Sequence, residues 1–252
     1  MHHGTQTTTR YALILFGICL YCCGPAVLHA QDDDGNLVPG DSNDFVVLAD
    51  LLTGPVTNVT VGDKVFSMFS YSSAGDMPAA TEINVFGFQD PDDNFGLTLQ
   101  GAFLDNPGDV TGSSATLEFD VTVSDEGQQL RRVISDAHLF LGSPGVPADS
   151  EIRVDESFQN TNETLQVFSS TIGGQSANQL SDWVDFSETA TSRQVTVFLS
   201  ALTAEEANLP ARASAIDFSF SQIVIPEPSA ALLLMCAGLI FAAVRFRARL
   251  PL

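Results

Sequence analysis

Apolar and polar residues alternate along much of the chain. Within 115–124, every second residue is large and apolar: Leu117, Phe119, Val121 and Val123. Two later segments repeat the pattern, one with Val195, Val197 and Leu199 and one with Ile216, Phe218 and Phe220. A period of two indicates strands with one buried face and one solvated face. We therefore predict that seven of these side chains point into a core: Leu117, Phe119, Val121, Val195, Val197, Phe218 and Phe220.

Weaker apolar runs extend the strand pattern, and they lie at 45–52, 64–72, 82–89, 96–104, 133–141, 151–158 and 164–171. Turn-rich pieces such as Gly142-Ser143-Pro144-Gly145 separate most of them. About ten strands at this spacing predict an all-β fold, a single antiparallel β-sandwich of jelly-roll-like type over 45–225. One helical turn is predicted at 203–209, where Thr203 and Glu206 fit a capping box.

The N-terminus has the order of a secretory signal peptide. Arg10 precedes the apolar stretch 11–23, and Leu28-His29-Ala30 follows a Gly-Pro break. We predict a signal peptide over 1–30, with cleavage after Ala30 or after Ala26. The polar, acidic residues 31–44 that follow predict a flexible arm.

The C-terminus carries Pro226-Glu227-Pro228, then an apolar run over 229–244, then three arginines within five residues: Arg245, Arg247 and Arg249. The apolar run is long enough for a single short transmembrane helix of roughly 24 Å. By the positive-inside rule, the arginines orient it with the C-terminus in the cytoplasm. The two prolines cannot lie inside the helix, so they leave an extended peptide at the membrane surface.

This box, span and basic end together resemble the PEP-CTERM sorting signal of exported bacterial proteins. The resemblance covers 226–252 and implies Pro226, Glu227 and Pro228 as the sorting motif and an exosortase-type membrane protease as the partner. It implies delivery to the cell surface or extracellular matrix, with anchoring by the C-terminal helix before processing. The tail family also bears the name of the ice-binding protein C-terminal domain, but no regular Thr-x-Thr ladder accompanies it here.

Cysteine and charge narrow the function classes. All four cysteines (19, 22, 23 and 236) lie in the two apolar termini, so 31–225 contains no disulfide framework and no thiol nucleophile. The same segment holds thirty acids against six bases, a formal charge of −24. Nucleic acid is therefore excluded as a partner. The acidity is explained by solubility, by cation binding, or by contact with a basic or neutral polymer.

Candidate chemistry is sparse within 31–225. His138 lies in a strand-like run and is interpreted as a structural or surface histidine; Trp183 is interpreted as a core or semi-core residue. Asp90, Asp92, Asp93 and Asn94 resemble a calcium loop, but Gly96 and Gly101 do not fit EF-hand spacing, so an acidic turn is the competing interpretation. No catalytic residue, metal ligand or cofactor is predicted.

The sequence thus predicts an exported, non-enzymatic domain of structural or adhesive function. The alternatives are a carbohydrate- or calcium-binding adhesion module, with extracellular polysaccharide as a candidate partner, and a secreted jelly-roll hydrolase. An exposed Trp183 beside acidic residues would favour binding, and two convergent carboxylates in a deep cleft would favour hydrolysis.

Overall fold

Two antiparallel sheets form the domain. The computed structural model describes residues 35–108 and 111–225. The six-stranded sheet has the order β1-β4-β5-β13-β7-β11 and contains β1 (Phe45–Val47), β4 (Asn84–Gln89), β5 (Phe95–Asp105), β7 (Arg132–Gly142), β11 (Ser181–Ala190) and β13 (Ala211–Val224). The seven-stranded sheet has the order β10-β9-β8-β12-β6-β3-β2 and contains β2 (Asn58–Val61), β3 (Lys64–Ala74), β6 (Ser113–Val123), β8 (Glu151–Phe158), β9 (Thr164–Ser170), β10 (Ala177–Gln179) and β12 (Ser192–Leu202). Two short helices, α1 (Leu48–Thr53) and α2 (Asp125–Gln129), lie between strands.

Phenylalanines join the two sheets at the centre of the core. The Phe119 ring of β6 lies 5.8 Å from that of Phe218 and 6.4 Å from that of Phe220, both on β13. Phe66 lies 6.0 Å from Phe119 on the same side. All seven side chains predicted to point inward are at most 1 % exposed. The predicted antiparallel sandwich is therefore confirmed.

The first apolar run, 45–52, is partly strand and partly helix. The predicted strand 45–52 is a strand only through Val47 and continues as α1. Leu48 and Leu51 of that helix are both buried, at the three-residue spacing of one helix face. A short apolar run fits either period, so the pattern could not distinguish them.

The sandwich begins earlier than residue 45. Leu37 is 2 % exposed and belongs to the core, and its backbone N–H donates to the Thr60 carbonyl at 2.9 Å. Thr60 in turn donates to the carbonyl of Gly35 at 2.6 Å. Residues 35–37 are thus joined to β2 rather than forming part of an arm, while 31–34 lie outside the described residues.

The helical turn predicted at 203–209 is not formed, and Thr203 instead takes part in a buried hydrogen-bond network. Thr203 is 2 % exposed, and its backbone N–H donates to Oδ2 of the fully buried Asp105 at 2.7 Å. Ser113 donates to Oδ1 of the same carboxylate at 2.7 Å. Residues 203–209 form turns without a helix. Thr203 therefore links strands of both sheets, and its resemblance to a helix cap is coincidental.

Both predicted hydrophobic termini lie beyond the described part of the chain. The signal peptide (1–30) and the transmembrane span (229–244) lie outside the described residues. Within 35–108 and 111–225, no helix has the length and apolarity that a membrane crossing requires.

Candidate functional site

Trp183 is exposed, which corrects the sequence interpretation. The side chain is 61 % exposed on the outer face of β11. Its neighbours Val184 and Phe186 pack into the core instead. Because successive strand residues point to opposite faces, Trp183 shares its face with the charged Asp185 and not with the core. The charged Asp185 two residues along the strand was the sequence signal that could have predicted the exposure of Trp183.

β11 is fixed in place by a contact across the sandwich edge. Asp182 Oδ2 accepts a 2.9 Å hydrogen bond from the backbone N–H of Gln166 on β9, in the opposite sheet. Its Oδ1 accepts from the N–H of Trp183 at 3.0 Å. In the other direction, residues 181–185 pair with β7, where Trp183 lies opposite His138. The indole is therefore presented from a strand that is held on both sides.

Four rings form a row across the outer face of the six-stranded sheet. The His138 ring lies 6.5 Å from Trp183 and 6.2 Å from Phe140. Phe140 lies 6.1 Å from Phe88. We call these four residues, Phe88, His138, Phe140 and Trp183, the aromatic face. It starts at β4, crosses the middle of the sheet and ends at β11 on the edge.

A glycine and a small buried residue allow the rings of Phe88 and Phe140 to come into contact. Phe88 and Phe140 lie on strands that are separated by β5 and β13. Opposite Phe88, β5 has Gly96, where an added Cβ would collide with the backbone carbonyl of Phe218. The next position across is Ser219, which is fully buried. With so little side-chain volume between them, the two phenylalanine rings can meet above the sheet.

Carboxylates border the indole end of the aromatic face. Asp136 and Asp185 lie directly opposite each other on β7 and β11, next to the His138–Trp183 pair. Asp136 Oδ2 accepts from the Ser135 hydroxyl at 2.9 Å, and Oδ1 lies 3.3 Å from His138 Nε2. Like charges at directly opposed positions repel. This corner of the face is therefore strongly electronegative.

A third carboxylate lies in the middle of the sheet. Asp217 is opposite Phe140, and its Oδ1 accepts a 2.6 Å hydrogen bond from the Thr98 hydroxyl. Burial raises the pKa of Asp217, and the bond from Thr98 only partly offsets this. Together, the aromatic face offers ring surfaces, one imidazole and oxygen acceptors on one open side of the domain.

In the segment that resembles a calcium loop, Asp90 organises an acidic turn. Asp90 Oδ1 accepts from the backbone N–H groups of Asp92 and Asn94 at 2.9 and 3.0 Å. Its Oδ2 accepts from the Asn94 amide and the Ser219 hydroxyl at 2.9 and 2.8 Å. Burial opposes ionisation, but these hydrogen bonds outweigh it and hold the pKa of Asp90 below its usual value. The carboxylate is committed to protein donors, and no group of three or more metal-ligating side chains occurs among the described residues.

The fold and this face define a β-sandwich domain with an open surface lined by rings and carboxylates. The C-terminal segment indicates how the protein is sorted. Residues 224–248 match the family model of the PEP-CTERM protein-sorting motif. The match confirms the resemblance described from the sequence and indicates an exported protein that is sorted through its tail. It covers the tail and not the sandwich. The sorting residues Pro226, Glu227 and Pro228 and the arginines at 245, 247 and 249 lie outside the described residues.

Among solved structures, three distant matches have carbohydrate-related descriptions. The carbohydrate-binding module TmCBM27, whose structure was solved to study specific mannan recognition, matches at 10 % identity and TM-score 0.29. The match covers 64 % of this chain and 97 % of the module. TmCBM61, in complex with β-1,4-galactotriose, matches at 14 % identity and TM-score 0.26 over 62 % and 88 %. SGBP-B from a xyloglucan utilization locus in Bacteroides uniformis matches at 9 % identity and TM-score 0.20 over 66 % and 70 %. No curated protein matches the chain. Similarities this low carry no inference about a ligand.

Proposed function

We propose that this exported, PEP-CTERM-sorted protein binds a glycan non-enzymatically through its aromatic face, at the cell surface or in the extracellular matrix. The single observation that carries the proposal is the 61 % exposure of Trp183 at the end of a ring row. Indole rings present an apolar face to the C–H surface of a sugar and a polar edge to its hydroxyls. This observation supports the carbohydrate-binding alternative over a purely structural role.

The charge of the domain restricts the kind of glycan. Residues 31–225 contain thirty acids and six bases, and this excess of negative charge repels uronic-acid or sulfated polymers. Asp136 and Asp185 next to Trp183 can accept hydrogen bonds from hydroxyl or amino groups. Neutral and amino-bearing polysaccharides are therefore the favoured ligands.

The geometry favours binding over hydrolysis. A glycosidase encloses the scissile bond between two carboxyl groups at a defined separation. Asp136 and Asp185 instead lie on an open face and not in a cleft that could enclose a scissile bond. Asp185 is exposed to solvent, as is Trp183. We accordingly assign no catalytic residue.

Replacing Trp183 with alanine is expected to weaken binding to a neutral polysaccharide roughly 30-fold, because truncating a central aromatic anchor costs about 2 kcal/mol or more. The matched control is Phe198→Ala, which removes a 45 % exposed ring from β12 in the opposite sheet. The measurement is retention in native gels containing mannan, galactan, xyloglucan or chitosan. The full chain is used in a detergent without a sugar head group.

Equal effects of Trp183→Ala and Phe198→Ala would contradict the aromatic face as the binding site. Failure of the wild-type protein to bind any of these polymers, or any glycan on an array, would return the domain to the structural interpretation. Both variants must retain the wild-type melting temperature within a few degrees for the comparison to count.

The tail is proposed to be a processing signal for an exosortase-type protease. β13 ends at Val224, and the N–H of Ile225 still donates to the Arg131 carbonyl at 3.0 Å. The sorting box therefore begins directly after a residue whose backbone is still hydrogen-bonded to the sandwich. Replacing Pro226, Glu227 and Pro228 with alanines is expected to leave the full-length form in the membrane, as measured by intact-mass spectrometry of surface fractions from the native host. Wild-type protein that still carries residues 229–252 at the surface would contradict processing.

A further inference from the structure

The outer face of the six-stranded sheet carries two further rings next to the aromatic face. Phe45 on β1 and Phe86 on β4 are direct strand partners, and their rings lie 5.5 Å apart. Their neighbours Val46 and Val85 are fully buried, so both rings point away from the core. Both are half-buried, and they lie on the same side of the sheet as Phe88, two positions further along β4 than Phe86. We call Phe45 and Phe86 the edge pair.

Strand register connects the edge pair to the aromatic face in one continuous row. Phe86 lies opposite Thr98 on β5, and Thr98 lies opposite Asp217 on β13. Asp217 in turn lies opposite Phe140 on β7, from which the aromatic face continues to Trp183 on β11. The row thus crosses all six strands from β1 to β11, a distance of about 24 Å at a strand spacing of about 4.8 Å.

The middle of the row is polar and lower than its two ends. Thr98 and Asp217 are shorter than the rings on either side, and Asp217 Oδ1 accepts the Thr98 hydroxyl. The second oxygen, Oδ2, accepts no hydrogen bond from the described residues, and Asp217 is only partly buried. A chain that lies on the rings passes above this carboxylate and can donate a hydroxyl group to it. The row therefore offers ring surface at both ends and an acceptor between them.

Both ends of the row are edges of the sheet. β1 and β11 are the outermost strands of the six, so no further strand of the described chain closes the row at either end. A site that is closed at one end accommodates the terminus of a glycan. A row that is open at both ends instead accommodates the interior of a chain longer than itself.

Charge favours a glycan over a second copy of this protein as the occupant of the row. Residues 31–225 have a formal charge of −24, so two copies repel each other. Packing the row against itself would also bring Asp217 and the opposed Asp136 and Asp185 towards like charges. A neutral or amino-bearing glycan avoids this repulsion and supplies hydrogen-bond donors to the same carboxylates.

We propose that the aromatic face and the edge pair form one site, which binds the interior of a long neutral or amino-bearing polysaccharide chain lying across all six strands. Phe45 and Phe86 hold one end of the bound segment and Trp183 holds the other. This inference rests on the glycan binding proposed above, and it adds the length of chain that the site requires and the residues that make it depend on length.

The test is isothermal titration calorimetry of the full chain, in a detergent without a sugar head group, with trimers and hexamers of β-1,4-mannan, β-1,4-galactan and chitosan as probes. A hexamer is long enough to contact both ends of the row, and a trimer is not. The wild-type protein is expected to bind at least one hexamer roughly tenfold more tightly than the matching trimer. Chemical reduction of the terminal sugar should leave the Kd of that hexamer nearly unchanged, because the site contacts the interior of the chain.

Phe86→Ala is expected to raise the hexamer Kd roughly fivefold, as for the loss of one stacked ring. The trimer Kd should stay nearly unchanged, because the trimer occupies the Trp183 end, where the exposed indole is the larger anchor. Phe198→Ala, which removes an exposed ring from the opposite sheet, is the matched control and should change neither Kd. Phe45→Ala on the edge strand takes the place of Phe86→Ala if thermal melting shows that the latter is unfolded.

Trp183→Ala distinguishes this inference from glycan binding itself, since it should weaken the binding of trimer and hexamer alike. If it does so while Phe86→Ala leaves the hexamer Kd unchanged, glycan binding stands and the extended site is overturned. Equal affinities of wild-type protein for trimer and hexamer, or loss of binding on reduction of the chain end, would overturn it in the same way. If no probe binds the wild-type protein, both proposals fall. A wild-type dimer that Phe86→Ala converts to a monomer in sedimentation would identify the row as a self-interface and overturn the inference.

Discussion

Replacing Glu156 with methionine is expected to stabilise the protein by about 2–4 kcal/mol at pH 7. Glu156 lies on β8, is fully buried, and neither carboxyl oxygen has a hydrogen-bond partner among the described residues. Its strand neighbours across the pairing are Leu165 and Val197, both core residues. An unbranched apolar side chain of similar length fills the same space without burying a polar group.

The stabilisation should also depend on pH. Burial raises the pKa of Glu156 well above its usual range. The folded protein therefore holds this proton more tightly than the unfolded chain, whose glutamate has a pKa of about 4.3. As pH rises from the unfolded-state pKa of Glu156 towards its raised folded-state pKa, the free energy of unfolding falls by at most about 1.4 kcal/mol per pH unit. The methionine variant lacks this loss, so its advantage should widen from pH 5 to pH 8.

Urea unfolding at pH 5, 6, 7 and 8 measures both effects. The control is Glu151→Met, a half-buried glutamate on the same strand, which should change stability by less than about 0.5 kcal/mol. A destabilised Glu156→Met variant at pH 7 would mean that this carboxyl is a favourable part of the core. An advantage independent of pH would mean that its pKa is not raised.

Replacing Phe119 with alanine is expected to cost about 3–5 kcal/mol, a large part of the 5–15 kcal/mol that stabilises a typical domain. Its ring lies within 6.4 Å of the rings of Phe66, Phe69, Phe218 and Phe220, so the change opens a cavity where the two sheets meet. No collapse of one sheet alone can fill that space.

Phe198→Ala provides the comparison for Phe119→Ala. The two residues lie on the paired strands β12 and β6, but Phe198 is 45 % exposed and loses little buried area. Its expected cost is below about 1 kcal/mol, measured in the same urea titration. Similar losses for both variants would contradict the position of Phe119 at the centre of the core.

Alternation was sufficient to predict the sandwich because burial on one face imposes a strict period of two. The strands around Leu117, Val195 and Phe218 have clean alternation, and all three point inward as predicted. The same reasoning failed where the pattern was short or mixed. Residues 181–190 were not recognised as a strand, since acids and hydroxyls fill most of its positions, and it is held by pairing with β7 and by Asp182.

The sorting tail is the part of function that the sequence alone determined. Its recognition depends on the order and spacing of residues along the chain, as in Pro226-Glu227-Pro228 followed by an apolar run and arginines, and the match over 224–248 confirms it. No folded neighbour is needed to recognise such a signal, because local residue order and spacing define it.

The candidate binding surfaces were decided only by the tertiary structure. Trp183, His138 and Phe88 come from three separate strands, and their rings meet because pairing register places them in one row. Periodicity shows which face of a strand is buried, but not which strands are neighbours. Non-local pairing decides that, and with it which exposed side chains share a site.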